Sequence, residues 1–500
     1  AVQVILVDKT GTLTQNRMRV KRVWARQKEQ LKNILFAALL GNTASVIQKG
    51  KGGAFDIAGD RTDGALLAFA RQQDPAIDEE IKKGAIIDEH VFDARSKMIT
   101  TVWEKNGKKY VFVRGAPEAV LAASNLSQPE KQAIESHFAA FAKEGLRVVA
   151  FGTKIDDQAH TRKRHELEQG LEFLGIIGIN DPPRPEVVRS IEQAKNAGIR
   201  TIMVTGDNEL TALAIGREIG LIEKDEDILT GEDLEKISDG ELSQLILKTS
   251  IFARTKPEDK LRLATLLQKQ GYIVGVTGDG VNDALALKKA DVGVAMGESG
   301  TDVAKEASDI VLSDDNFATL IKAVEEGRVI YQNIAKAITY LLAGNLSEIA
   351  LVFFSSIAGL PSPLLPTQIL WINLVTDGLP ALALATDNKN PKLINQHPRN
   401  PKIPILTGNR MLVIITIGFG ITMLLLFVYS SLLKSLSEVH ARTIIFNLLV
   451  FSHMVLAFVI RGQSLLRINK LLIFGVILTL LLQMIITTTP FFQQIFHLKF

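Results

Sequence analysis

The stretch Val2-Gln-Val-Ile-Leu-Val-Asp8-Lys-Thr-Gly-Thr-Leu-Thr14 decides the reading of this chain. A short apolar run rich in β-branched residues suits a buried strand, and this one stops at an acid followed by a glycine-containing turn. The pattern returns at Gly198-Ile-Arg-Thr-Ile-Met-Val-Thr-Gly206 and at Gly271-Tyr-Ile-Val-Gly-Val-Thr-Gly278, each running into Asp207 or Asp279. Helical stretches follow, over Asn208 to Ile219 and Asn282 to Ala290. Strands alternating with helices predict an α/β, doubly wound parallel sheet whose ligands sit beyond the carboxyl ends of its strands. Asp8, Asp207 and Asp279 all stand at such ends.

The block from about Arg17 to Asn180 interrupts that sheet. It carries a helical pattern over Thr62 to Gln72 and strand patterns over Met98 to Glu104, Lys109 to Arg114 and Arg147 to Thr153. It reads as an inserted α+β domain, residues 17–180, between two parts of the first domain, 1–16 and 181–325. The return point, Asp181-Pro-Pro-Arg184, has two fixed φ angles and suits a hinge. Residues 316–336 form a polar-amphipathic stretch that runs unbroken into the apolar region, so a continuous helix would couple sheet to bilayer.

Residues 326–500, stalk and apolar region together, predict an all-α membrane bundle. A bilayer core needs about 20 apolar residues per helix. Five segments qualify, at about 336–357, 364–385, 411–433, 442–461 and 471–490. Lys389, Lys392, Arg399, Lys402 and Arg410 lie between the second and third, and Arg461, Arg467 and Lys470 between the fourth and fifth. Lys and Arg in short loops mark the cytoplasmic side, the side of the N-terminal region, with Phe500 opposite. The net charge of +3, with 22% charged residues, leaves no footprint for nucleic acid. No cysteine is present, which excludes disulfides and thiolate chemistry. The chain opens on Ala1 inside a strand pattern and reads as a fragment.

A carboxylate at a strand end can accept a phosphoryl group and form an aspartyl phosphate. Such transfer needs a cation against the converging negative charge. Asp279 and Asp283 in Thr277-Gly-Asp-Gly-Val-Asn-Asp283 supply further carboxylates, and Mg²⁺ favours one or two of these with phosphate oxygens and water. Lys260, in Lys256-Pro-Glu-Asp-Lys260, offers a compact positive charge. A single Thr-Gly-Asp is more often a turn leading to a helix cap; three strand-end acids beside one nucleophilic motif reverse that balance.

Asp8-Lys-Thr-Gly-Thr, Thr205-Gly-Asp207 and Thr277-Gly-Asp-Gly-Val-Asn-Asp283 resemble the signature set of the P-type ATPases, whose phosphorylation domain has the haloacid dehalogenase-like fold. The resemblance covers nearly the whole chain. It implies that Asp8 is phosphorylated by ATP, that Asp8, the Thr10 carbonyl and Asp279 hold Mg²⁺, and that Thr205, Gly206, Lys260 and Asn282 surround the phosphoryl group. Leu285 departs from the family's usual proline, and a small geometric effect is expected. In the inserted block Phe92-Asp-Ala-Arg-Ser-Lys97 looks like the adenine-stacking Phe and nearby Lys. Arg114-Gly115-Ala-Pro-Glu matches a motif that usually begins with Lys, and Arg keeps the charge but changes its shape. Asp63, Arg147 and Arg254 match further nucleotide contacts. Without the resemblance Phe92 would be a core aromatic and Arg147 a solvated surface charge.

Asn345 and Glu348 are three apart on the first span, and Asn373, Thr376 and Asp377 are three and four apart on the second. Each set shares one face of an α-helix. Ionisable groups inside a span mark ion paths, although one alone could be a satisfied interhelical hydrogen bond. Hard oxygen donors suit Ca²⁺, with Mg²⁺ or Mn²⁺ less favoured and soft metals excluded. Trp371-Ile-Asn-Leu-Val-Thr-Asp-Gly-Leu-Pro380 resembles the matching helix of sarcoplasmic reticulum-type calcium pumps. His453 falls where two-site calcium pumps have a Glu, which leaves the stoichiometry open.

The resemblance thus implies an ATP-driven cation pump, exporting calcium from the cytosol across the plasma membrane of a bacterium. It also implies an actuator domain and earlier spans outside this chain, without which ATP binding and slow phosphorylation are expected but transport is not. The competing readings are a pump for Mn²⁺, Na⁺ or K⁺, a membrane-tethered phosphatase of the same fold, and a non-catalytic product that only binds partners.

Overall fold

The computed structural model describes residues 2–49, 54–223, 227–388, 393, 395–400, 402–462 and 469–499. The chain divides into two compact units, Val2–Ile321 and Lys322–Phe500. Fifteen strands occur among the described residues of the first, in chain order β1 (Val4–Asp8), β2 (Arg19–Ala25), β3 (Ser45–Lys49), β4 (Ala54–Ala58), β5 (Ala85–His90), β6 (Met98–Lys105), β7 (Lys108–Gly115), β8 (Arg147–Ile155), β9 (Glu172–Asn180), β10 (Arg200–Val204), β11 (Ile228–Thr230), β12 (Ile251–Ala253), β13 (Val274–Gly278), β14 (Val292–Met296) and β15 (Ile310–Leu312).

Seven strands build a parallel sheet in the order β11-β12-β10-β1-β13-β14-β15. β1 is central, with Asp8 in register with Val204 of β10 and Leu6 with Val276 of β13. Burial on both faces explains the unbroken apolar run: Val4 to Val7 are all 1% exposed or less. The crossover helices include Val187–Asn196, Glu209–Glu218, Pro257–Lys269 and Ala284–Lys289. Leu263, Ala264 and Leu267 of the third and Ala286 and Leu287 of the fourth pack with β-strand residues in one core.

The second sheet is antiparallel, β2-β9-β8-β7-β6-β5, and a β3-β4 hairpin accompanies it. The helix Arg61–Gln73 is capped by Asp60, whose carboxylate accepts the Thr62 and Asp63 N–H groups at 2.8 and 3.1 Å. The two chain segments that join the sheets are strapped together. Asp181 accepts from Thr14 Oγ1 at 2.5 Å and from the Arg17 N–H at 3.0 Å, and Arg184 donates to the Gly11 carbonyl at 3.0 Å. The prolines expected to form a hinge therefore lie in a hydrogen-bonded crossing.

The second unit holds the membrane-capable helices. The five long apolar ones are Phe317–Ile357, Pro366–Ala385, Gly408–Leu432, Glu438–Arg461 and Lys470–Thr488, and the chain is a membrane protein. The first begins in the preceding unit and continues unbroken for 41 residues. At 1.5 Å per residue that is roughly 60 Å, about twice the hydrocarbon thickness of a bilayer. Its charged residues Lys322, Glu325, Glu326, Arg328 and Lys336 precede its apolar half, and Glu348 lies within that half.

The second span departs from the regular α-helix assumed for its face pattern. Residues Ile372–Thr376 are π-helical, and the Asp377 N–H donates five residues back, to Ile372, at 2.9 Å. Pro380 lacks the N–H that would bond the Thr376 carbonyl, which removes one obstacle to the wider turn.

A buried knot ties the ends of four spans. Asp387 accepts from Arg461 Nε at 3.2 Å and from Asn469 Nδ2 at 2.9 Å, lies 3.6 Å from Lys336 Nζ, and takes the Asn333 amide on its carbonyl at 2.7 Å.

Candidate functional site

Asp8 ends the central strand, and the sheet delivers the other candidates to it. Its N–H donates to Thr277 Oγ1 at 2.9 Å, which fixes the ends of β1 and β13 to each other. Lys260, from the first turn of the Pro257–Lys269 helix, is 4% exposed. Its ammonium reaches Asp8 Oδ2 at 3.3 Å, the Thr277 carbonyl at 3.1 Å and Asp283 Oδ1 at 2.8 Å. Burial opposes that charge, but the Asp8 and Asp283 carboxylates outweigh it and hold Lys260 above its ordinary range.

Asp8, Asp279 and Asp283 each offer a carboxylate oxygen, all within 4.8 Å of one another. Burial, then the charges of Asp8 and Asp283, push Asp279 up to about 6. Asp283 is held by the N–H groups of Asp279 and Gly280 at 3.2 and 3.1 Å. A Cβ at Gly278 would lie 2.5 Å from Asp283 Cβ, so only glycine lets this carboxylate fold back over the strand end.

Thr205 and Gly206 follow β10 one step beyond the level of Asp8; Thr205 is buried and Gly206 exposed. Asp207 forms an ion pair with Lys9, a buried lysine that the motif reading had not singled out. Asn282 is exposed in the turn Val281–Asp283, and Thr10 lies in the turn directly after Asp8. Arg254 adopts φ 51°, donates its N–H to the Asp207 carbonyl at 2.8 Å, and turns its guanidinium to within 3.8 Å of Glu232. Leu285 is 72% exposed at the second position of its helix.

Asp315 is another participant that motif reading missed. Its carboxylate accepts the N–H groups of Gly297, Glu298 and Ser299 at 2.7, 3.0 and 2.8 Å and pins the loop after β14. Burial works against the charge, but these donors hold Asp315 below the usual carboxylate range.

In the antiparallel part, Arg114 of β7 forms a buried ion pair with Asp63 and donates to the Gly41 carbonyl at 2.8 Å. The other Asp63 oxygen accepts from Thr43 N and Oγ1, both at 2.9 Å. Burial raises Asp63, yet Arg114 and Thr43 more than offset it and the carboxyl lies low. Both Asp63 oxygens are thus engaged within the protein, so this residue shapes the site by holding Arg114 and Thr43. Arg147 reaches Thr62 Oγ1 at 3.0 Å. Phe92 is 61% exposed, which removes the core-aromatic reading, and Lys97 pairs with Glu118 at 3.1 Å. Gly115 pairs with Met98 across β6 and β7.

Within the membrane-capable unit, Glu348, Asp377 and His453 are buried and offer donor atoms within 4.8 Å of one another. Asn373 Nδ2 donates to Glu348 Oε2 at 3.0 Å, while Glu348 Oε1 and Asn345 Oδ1 are buried with no partner among the described residues. Thr376 donates back to the Ile372 carbonyl at 3.0 Å. Tyr340 donates to Asp377 Oδ1 at 3.0 Å.

A central parallel sheet with a strand-end aspartate, a buried lysine and a carboxylate cluster, followed by membrane-capable helices carrying acids, is the arrangement expected of a P-type ATPase. The family models agree: one described as Cation transporting ATPase, C-terminus, matches residues 361–499, and one described as P-type ATPase, cytoplasmic domain N, matches residues 30–186. The chain belongs to this family, with a haloacid dehalogenase-like domain preceding its membrane bundle. Its similarity runs to a calcium-transporting ATPase of Bacillus subtilis, 37% identical over 99% of this chain and 60% of the relative. Calcium-transporting ATPase 1 of Lactococcus lactis is 35% identical over 100% and 59%, and calcium-transporting ATPase 1 of Saccharomyces cerevisiae is 36% identical over 99% and 57%. The chain therefore spans 57–60% of the length of these relatives.

Proposed function

We propose that this chain carries the ATP-consuming and ion-binding parts of a calcium pump that works through an aspartyl phosphate on Asp8. The observation that carries the reading is the Asp8 carboxylate at the end of the central strand, 3.3 Å from a buried ammonium and beside two further carboxylates. In this reading residues 1–16 and 181–325 are the phosphorylation domain, 17–180 bind the nucleotide, and 326–500 are the stalk and five spans.

An Asp8 oxygen attacks the γ-phosphorus of ATP, the bond to the β-phosphate oxygen breaks, and ADP leaves with that electron pair. Lys260 meets the charge gathering on the phosphoryl oxygens, and Thr205, Gly206 and Asn282 line its approach. Asp207 keeps Lys9 in place through their ion pair. Mg²⁺ fits the cluster, because a carboxyl pushed to about 6 by burial and by the charges of Asp8 and Asp283 is one that a divalent ion relieves. Asp8, Asp279 and the Thr10 carbonyl would hold it, and its chemistry there is to neutralise phosphate and carboxylate charge together. Phe92, Lys97, Arg114, Gly115, Arg147 and Arg254 serve the nucleotide, with Asp63 as the buried anchor of Arg114.

The transported ion meets Glu348, Asn345, Asn373, Thr376 and Asp377. The two unpartnered oxygens, on Glu348 and Asn345, support a cation there. The names of the relatives favour Ca²⁺, with export from the cytosol across a bacterial plasma membrane and with the catalytic unit on the cytoplasmic face. Transport by this chain would further require the portion of its relatives that it does not span. Radiocalcium binding to the detergent-solubilised chain tests the ion. The expected result is saturable binding that Asp377→Ala abolishes; binding of Na⁺ or K⁺ alone would move the chain to another branch of the family.

A further inference from the structure

We propose that Arg164 is a positioning residue for nucleotide binding, because its guanidinium clamps the segment that presents Phe92 and Lys97 to ATP. The inference rests on the reading above that these two side chains serve the nucleotide, and it deepens that reading by naming what holds them.

Phe92 and Lys97 stand on the connection between β5 and β6, and neither is fixed by its own side chain. Phe92 is 61% exposed, so its ring takes its direction from the backbone beneath it. Lys97 reaches Glu118 at 3.1 Å, but both side chains are exposed, and ion pairs of that kind hold little. The Lys97 backbone also adopts φ 55°. A residue with a side chain keeps that left-handed conformation only where its surroundings impose it. Inside the turn, the Asp93 carboxylate accepts the N–H groups of Arg95 and Ser96 at 3.2 and 3.4 Å. Those bonds tie the segment to itself and leave its placement on the sheet open.

Arg164 supplies that placement from the short helix Arg164–Leu167. Its guanidinium donates to the Val91 carbonyl at 3.1 Å, to Ser96 Oγ at 3.0 Å and to the Met98 carbonyl at 2.7 Å. The first acceptor directly precedes Phe92, and the other two flank Lys97. Arg164 Nε donates to Glu168 Oε1 at 2.7 Å, and the same oxygen accepts from Thr100 Oγ1 of β6 at 2.8 Å. Glu168 and Thr100 are both buried, and Leu167 packs in one core with Met98 and Val102. The clamp is therefore anchored in the sheet at one end and grips the exposed segment at the other. It uses four of the five guanidinium N–H groups in a planar fork, which a lysine ammonium cannot reproduce. A segment ordered in advance binds more tightly, because the ligand need not supply the ordering.

The test is calorimetric titration of ATP into the full chain in detergent, run as a mutant cycle. Arg164→Ala should raise the ATP dissociation constant by about tenfold, and Arg164→Lys should not rescue it. In a chain already carrying Phe92→Ala and Lys97→Ala, the same Arg164→Ala change should cost less than about threefold, because the side chains it places are gone. A merely structural arginine would cost the same in both backgrounds, and that result, or wild-type affinity in Arg164→Ala, would overturn the proposal. Ser96→Ala removes one contact of the clamp and decides the matter even if Arg164→Ala misfolds. It should weaken ATP in the same direction and speed amide exchange over residues 91–98, and unchanged affinity and exchange there would also overturn the proposal. If Phe92→Ala with Lys97→Ala leaves ATP binding unchanged, the nucleotide reading of the segment itself falls, and this inference with it.

Discussion

Removing the charge of Asp279 should stabilise the metal-free protein, and the size of the effect can be worked from the site. An acid that ordinarily titrates at 3.8 is held here at about 6. Each tenfold step in acidity is worth about 1.4 kcal/mol, so the gap corresponds to roughly 3 kcal/mol before screening. Asp279 is only partly buried, and water reduces this to about 1.5 kcal/mol. The sign follows from proton counting. The unfolded chain releases its Asp279 proton near 3.8 and the folded chain near 6, so stability falls as pH rises through that window and levels off above it. Thermal unfolding of the detergent-solubilised chain between pH 4.5 and 7.5, wild type against Asp279→Asn, isolates the effect. Without Mg²⁺ the wild type should lose about 1.5 kcal/mol relative to the variant, about 2 °C in melting temperature for a unit of this size. Excess Mg²⁺ should restore the wild type and leave the variant nearly unmoved. Parallel pH profiles, or equal Mg²⁺ responses, would refute the claim that these carboxylates form a charged, cation-seeking cluster.

Arg114→Ala strands the Asp63 carboxylate in a buried setting and should cost about 3–5 kcal/mol in denaturant unfolding, with Asp63→Ala in the same chain recovering part of it. Because Arg114 and Thr43 hold Asp63 low, its contribution is present at neutral pH and fades as pH falls below the ordinary carboxylate range. Asp315→Ala removes the acceptor for three backbone N–H groups and should cost about 1–3 kcal/mol, with faster amide exchange confined first to residues 297–299.

The parallel sheet was legible because burial on both faces forces an unbroken apolar strand, and Asp8, Asp207 and Asp279 mark where each strand stops. The membrane helices were legible for a similar reason, since lipid demands length and apolarity together. Pairings between distant residues were not. Nothing local to Asp63 announces a partner 51 positions away, and Asp315 gives no sign that it will hold a loop behind it. The π-turn at Ile372–Thr376 escaped because a face argument assumes 3.6 residues per turn, although Pro380 was a usable hint. Asp387 drew no reading from the sequence; its role comes from Lys336, Arg461 and Asn469, which only the packed bundle gathers. His453 was visible as an oddity, but Ser347 on another helix was needed to orient its ring.

The central claim is that Asp8 is the nucleophile, and the measurement that meets it most directly is labelling of the chain with γ-³²P-ATP and Mg²⁺ followed by acid quenching. The expected product is an acid-stable phosphoprotein that hydroxylamine cleaves, maps to the peptide containing Asp8, and disappears in Asp8→Asn. Label that persists in Asp8→Asn, or that small phosphate esters supply as readily as ATP, would contradict the account.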